Sequence, residues 1–211
     1  MSGDFEHFFR TSYPRLMARA VLLCGNRADA EDAVAEAFAE VARNWTTASG
    51  YDAPEAYLHV TMTRKVFRQF RWRRRQEEVA ALELPVSPHA TPHEAFAAKE
   101  VLAVIAGLPE MQRAVVVHCC LDGMAQAEVA KLLHIQRGTV AVHLHKARKT
   151  LSAALFDQAY DFVPDTATLT HRLLDAERWL AGGFAADGAT RDRVRAAVNQ
   201  VAQPKRRWGR G

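Results

Sequence analysis

The stretch from Met124 to Thr150 constrains this chain more than any other. Glu128, Val129, Ala130, Leu132 and Leu133 sit where a short helix turns an apolar edge inward, and Gln136 and Arg137 interrupt that pattern. A second helical period follows at once, with Val140, Leu144, Ala147 and Leu151 on one face. Two short helices joined by so tight a turn, with small Ala130 where they cross, have the spacing of a helix-turn-helix. The second helix then offers Gln136, Arg137 and Thr139 toward base edges at its start, and His143, Lys146, Arg148 and Lys149 toward phosphates further on. Spacing alone fits a helical hairpin with a solvated basic face equally well.

The surrounding residues narrow the choice. Leu108-Pro109, Arg113, Gly123-Met124, Glu128-Val129-Ala130, Gly138-Thr139-Val140 and Ala147-Arg148 resemble region 4 of the sigma-70 family of RNA polymerase sigma factors, specifically the extracytoplasmic-function (ECF) group. The resemblance implies that Gln136, Arg137, Thr139, His143, Lys146 and Arg148 read a −35 promoter duplex, and that this region meets the polymerase beta flap. Three departures have physical consequences. Ala125 stands where the family carries a capping serine, a loss worth about 0.5 to 2 kcal/mol of helix stability. His134 stands in place of the turn glycine, which narrows the backbone options, and Ala141, Val142 and His143 stand in place of Lys-Ser-Arg.

With 211 residues, 49% of them hydrophobic, the chain is long enough for one large or two small domains. The formal charge of +4 is modest, but the cations are clustered, and local clustering attracts a polyanion. Cys24, Cys119 and Cys120 are odd in number and lack metal-type spacing, so the expectation is a reducing cytoplasm, no disulfide framework, no metal and no cofactor. No signal peptide opens the sequence and no apolar run is long enough to span a bilayer, so no membrane insertion is expected. The histidines pair with no nucleophile in a local motif and no glycine-rich phosphate loop occurs, so the expectation is a chain that is not an enzyme.

Toward the N-terminus, Phe5, Phe9, Leu16, Ala20 and Leu23 recur at helical spacing, with Ser12 and Pro14 predicting a restart or kink. Asn26 is placed to cap a second helix whose buried stripe is Val34, Phe38, Val41 and Trp45. Asp29, Asp32, Glu36 and Glu40 line another of its faces, where like charges four apart repel by a few tenths of a kcal/mol per pair. A solvated acidic face and a docking face both fit. Ala30-Glu31-Asp32, Glu36 and Phe38 resemble family region 2.2, which implies that Asp29, Asp32, Glu36 and Glu40 dock on the clamp helices of the beta-prime subunit of bacterial core RNA polymerase. Ala35 replaces a common family glutamine there.

A polar turn between Trp45 and Asp52 leads to Pro54 and a third helix with Leu58, Met62, Val66 and Phe70 inward. Its other face carries Arg64, Lys65, Arg68, Arg71, Arg73, Arg74 and Arg75, interleaved with Phe67 and Trp72, combining phosphate neutralisation with rings able to stack on unpaired bases. Core packing of both rings is the alternative. By position this segment resembles regions 2.3 and 2.4, which implies −10 promoter binding by these nine residues. Arg64, Arg68 and Tyr57 depart from the family's asparagine, aspartate and tryptophan; the two added cations raise nonspecific DNA affinity and its salt dependence.

Glu77, Glu78 and Glu83 followed by Pro85, Pro88 and Pro92 mark a linker, and Thr91 with Glu94 and Pro92 forms a capping box opening a second domain. Beyond Phe156 the resemblance stops. Leu169, Leu173, Ala176 and Leu180 predict one more helix ending at Gly182-Gly183, and Val194, Ala197, Val198 and Val201 a shorter one, before a basic tail around Trp208. This extension either covers apolar surface on the second domain or acts as a built-in regulator over region 2 or region 4.

The expected architecture is all-α: a region 2-like domain over residues 1–76, a flexible linker over 77–91, a region 4-like domain over 92–156 and a helical extension over 157–211. The resemblance implies promoter recognition as a dissociable subunit of core RNA polymerase, with promoter DNA and an anti-sigma factor as further partners. Two alternatives stay open: a sigma-derived DNA-binding regulator that does not melt promoters, and a protein that only engages an anti-sigma factor.

Overall fold

A computed structural model of the chain describes residues 3–73, 91–155, 166–185 and 188–202, and these are all-α, without strands. The first helix, α1 (Gly3–Cys24), runs through Pro14 as one element. Losing a helical hydrogen bond at an interior proline costs about 3 kcal/mol, whereas burying Phe9, Leu16 and Met17 around it contributes about 1.5 to 3 kcal/mol each, so packing carries the helix past the breaker. Asn26 then caps α2 (Arg27–Arg43): its Oδ1 accepts from the Asp29 amide at 2.9 Å, and its Nδ2 donates to the Asp29 carboxylate at 2.8 Å. The expected turn after α2 contains a short helix, α3 (Trp45–Ala48), followed by α4 (Pro54–Arg73). Rings from α1, α2 and α3 interlock, with Phe9 and Phe38 edge-to-face at 4.8 Å and Phe5 and Trp45 at 5.2 Å.

The second group begins with α5 (Pro92–Ala106), opened by the capping box: Glu94 accepts from the Thr91 amide at 2.9 Å and Thr91 Oγ1 accepts from the Glu94 amide at 3.3 Å. Next comes α6 (Glu110–Val116), which continues into a π-helical turn (Val117–Leu121) that the sequence does not signal. The helix-turn-helix follows as α7 (Gln126–Leu133) and α8 (Arg137–Leu155), with Val129, Ala130, Leu133, Val140, Leu144, Ala147, Leu151 and Leu155 buried. Leu132 is half-buried and Glu128 exposed.

The extension supplies α9 (Thr166–Gly182) and α10 (Gly188–Ala202). Leu169, Leu173, Ala176 and Leu180 are buried, but their target is wider than the second domain. Helix α9 packs against α1 on one side and against α5 and the π-turn on the other, while α10 lies along α2. Direct contacts join α1 to α6 and α4 to α7, so one hydrophobic core runs through all three parts. One close approach is at Gly25, where φ is +75° and an added Cβ would lie 2.9 Å from Arg113 Nη1; glycine meets both demands.

Candidate nucleic-acid interface

The turn between α7 and α8 fixes how the second helix is presented. His134 takes the left-handed conformation (φ 55°, ψ 43°), the Ile135 amide bonds to the Ala130 carbonyl at 3.0 Å, and the His134 amide to that of Lys131 at 3.4 Å. This pairing ends the helix in a Schellman pattern with a histidine in the glycine position. At the other end of α7 the side chain of Ala125 accepts nothing, but Glu128 reaches back to the Ala125 amide at 2.8 Å, giving half a capping box.

Gln136 in the turn and Arg137, Thr139 and Lys146 on α8 are exposed. Two others are placed differently. His143 and Arg148 are half-buried, and Arg148 lies close enough to Cys119 and Cys120 to act on their thiols. The outward row is Thr139, Val142, Lys146 and Lys149, spaced three, four and three residues apart on one face, with Val142 52% exposed. Burial pushes the Cys119 thiol up to about 11, so it stays protonated. Among the described residues no group of three or more His, Cys, Asp or Glu side chains comes together around a metal-sized site. No described helix is long and apolar enough to cross a membrane.

The acidic and basic sets read from the first domain meet each other. Asp32 is exposed on α2, but Asp29 is buried in the cap of that helix and does not join the exposed acidic line. Glu36 accepts from Arg68 at 2.5 Å and lies 4.0 Å from Lys65, which also pairs with Glu40. Arg64 is exposed, and Phe67 is half-buried against the core. Arg71, Trp72 and Arg73 lie on the last turn of α4, where side chains are not among those described; Arg74 and Arg75 lie outside the described residues, as does Phe70 at side-chain level. The Arg68–Glu36 pair is exposed on both sides and contributes about 0 to 1 kcal/mol, so Arg68 is exchangeable for another partner at small cost, whereas the Lys65 side chain is mostly buried against Glu40.

This arrangement coincides with known sequence relationships. Residues 8–76 match the family model described as Sigma-70 region 2, and residues 98–151 match that described as Sigma-70, region 4. An RNA polymerase sigma-E factor of Streptomyces coelicolor is 32% identical over 160 residues, spanning 75% of this chain and 89% of the relative. The ECF RNA polymerase sigma factor EcfG of Rhodopseudomonas palustris is 33% identical over 158 residues, spanning 72% and 86%. The chain belongs to the ECF group of the sigma-70 family. Its fold also resembles a chain from the co-crystal structure of the sigma factor RpoE in complex with the anti-sigma factor NepR from Bartonella quintana, with a TM-score of 0.55, 20% identity, and coverage of 74% of this chain and 99% of that one.

Sequence reading of this sigma factor misses a buried polar cluster where region 2, region 4 and the extension meet. Arg19 of α1, 2% exposed, donates from Nε to Glu177 of α9 at 3.3 Å and from Nη2 to the Leu121 carbonyl at 3.0 Å, and pairs with Asp122. Arg15 reaches the same Glu177 oxygen at 3.2 Å. His118, 2% exposed, donates from Nδ1 to Asp122 at 2.7 Å; burial and the Arg19 charge push its pKa down to about 4, so it is neutral. His59 of α4, half-buried in the same 420 Å³ cleft, is pushed down by burial and by Arg19, Arg15 and His118. Nothing in the sequence distinguishes Arg19 from a solvated arginine, because its partners lie 102 and 158 residues away.

Proposed function

We propose that the chain works in the cytoplasm as an initiation subunit without covalent chemistry of its own, docking on core RNA polymerase and presenting two DNA-reading surfaces. Exposed Asp32, Glu36 with its exchangeable Arg68 partner, and Glu40 are assigned to the clamp helices of the beta-prime subunit, with the region 4 domain toward the beta flap. The α4 row from Arg64 to Arg75, with Phe67 and Trp72, is assigned to the −10 element. Exposed Gln136, Arg137, Thr139 and Lys146 are assigned to the −35 duplex, Lys146 to phosphate, with half-buried His143 and Arg148 flanking them. An anti-sigma factor is a further candidate partner, since the solved structure of similar fold is a complex with one.

The observation that carries this reading is the uncovered row of polar and cationic side chains on the second helix of the helix-turn-helix, at the spacing a major groove requires. Transcription with purified core polymerase, with and without the chain, from the promoter upstream of its own gene tests it. Chain-dependent specific transcripts are expected. Asp32→Arg with Glu36→Arg is expected to weaken polymerase binding at least tenfold; unchanged affinity removes the docking assignment. A sigma-derived regulator that binds DNA without melting it is the second reading, favoured by the engagement of Lys65 and Arg68 with Glu40 and Glu36. It predicts duplex binding without chain-dependent transcripts.

A further inference from the structure

We propose that residues 166–185 and 188–202 are a built-in lock: α9 and α10 clasp region 2 to region 4 and hold a closed form that cannot span a promoter until the clasp is released. The inference rests on the sigma-factor reading for its consequence, but the clasp itself rests on packing. The two family models end at residue 151, and the solved chain of similar fold is covered over 99% of its length by 74% of this one. The extension therefore lies outside both matched family regions, yet it buries its apolar stripe between them.

Three features make it a clasp rather than a cover. Helix α9 touches α1 of region 2 and α5 and the π-turn of region 4 at once. At that junction the Arg19 guanidinium is divided among Glu177 of α9, Asp122 and the Leu121 carbonyl, so withdrawing α9 leaves a buried charge short of a partner and favours movement of all three parts together. Helix α10 adds a peripheral tie along region 2: Val194 is 2% exposed, Arg191 lies 3.3 Å from Glu6 on α1, and Arg193 pairs with Glu31 on α2. The peripheral pairs are half-exposed and weak, so α10 is the end from which the clasp opens.

The consequence follows from size. A compact chain of this length has a radius of gyration of about 17 Å and is about 45 Å across. Promoter elements centred near −10 and −35 are separated by about 25 base pairs, roughly 85 Å at about 3.4 Å per step. Region 2 and region 4 cannot touch both while packed together. Helix α10 also lies along α2, the helix assigned to polymerase docking, so a closed population lowers apparent affinity for polymerase in proportion to the fraction that is open, and the released chain is the tighter binder.

The full-length chain tests this with a charge-swap cycle away from the DNA and polymerase surfaces. Arg191→Glu and Glu6→Arg each place like charges together at the α10 end; the double variant restores an opposite-charge pair. Each single change is expected to raise affinity for core polymerase threefold to tenfold and to lower hydrogen-exchange protection of α10 by a similar factor, with the double variant returning toward wild type in both. Glu177→Gln, which keeps size but removes charge at the junction, is expected to raise polymerase affinity further and to expose α9. Single variants indistinguishable from wild type in both readouts, or a double variant that is not restored, overturn the lock. Should no variant or wild-type chain bind polymerase, the sigma reading fails separately, and exchange protection alone decides: loss in α9 as well as α10 that the swap reverses supports the clasp, and unaltered protection of α9 overturns it.

Discussion

His134 holds the turn of the helix-turn-helix in a conformation that an L side chain adopts at a cost of about 1 to 2 kcal/mol. Glycine removes that cost but forfeits about 0.5 to 1 kcal/mol through its greater freedom in the unfolded chain, so His134→Gly is expected to stabilise by about 0.5 to 1 kcal/mol. At the other end of the same helix Ala125 leaves the amide of Glu128 without the usual side-chain acceptor, and Ala125→Ser is expected to contribute about 1 kcal/mol by supplying one. The positions are at opposite ends of α7 and share no partner, so the effects should add. Thermal or urea unfolding of both single variants and the double variant measures this, with about 2 to 4 °C expected per kcal/mol. A destabilised His134→Gly would mean that the imidazole makes a contact worth more than the strain. Both positions are legible in the sequence because capping and left-handed turns have local chemical requirements.

Elements are legible where burial follows a helical period and illegible where one residue's environment depends on a distant element. On α8 the apolar stripe is read correctly, yet His143 and Arg148 are not part of the outward row. His143 lies three residues after buried Val140 and four before buried Ala147, and Arg148 lies four after Leu144 and three before Leu151, so both flank the buried stripe. Val142 shows the reverse: it replaces a polar family residue, yet it points outward at 52% exposure, where a thymine methyl group is a suitable neighbour. Asp29 is buried for a local reason, since Asn26 recruits it into the cap of α2. These placements separate two kinds of substitution on α8. Lys146→Ala should weaken binding to every duplex alike and lower the salt slope by about 1. Arg137→Ala should cost about 1 to 3 kcal/mol on the responsive sequence and relax preference at one base pair. Anisotropy titrations on a responsive and a scrambled duplex at several salt concentrations distinguish them; an equal loss on both duplexes for Arg137→Ala would make it a phosphate contact.

For the whole molecule, the apolar stripe of α9 is legible but its destination is not, because burial is non-directional and the same four residues would suit either domain. What fixes the destination is polar: Arg19, Glu177, Asp122 and His118 converge from separate parts of the chain, and such convergence leaves no periodic trace. The same cluster ties the packed form to pH. His118 is neutral in the folded chain, with a pKa pushed down to about 4 from an ordinary 6.5, so the unfolded chain takes up the proton first as pH falls. Stability from this group is therefore complete above about pH 6.5 and declines through the interval down to about pH 4. At pH 5.5 the loss is about 1.4 kcal/mol, or about 3 to 6 °C in Tm. Asp122 offsets little of it, because that carboxylate is shared with Arg19, and His59, held neutral in the same cleft, adds to the fall. His118→Asn keeps an N–H donor toward Asp122 but cannot be protonated in this range. Unfolding at pH 7.5 and pH 5.5 is expected to differ by about 1.4 kcal/mol less in that variant than in wild type; an equal difference would place the titration elsewhere. Since Arg19 bridges region 2 and region 4 and a protonated His118 would repel it through the Asp122 carboxylate they share, the same acidification should expose the α9 junction before global unfolding, which exchange protection along α9 reads directly.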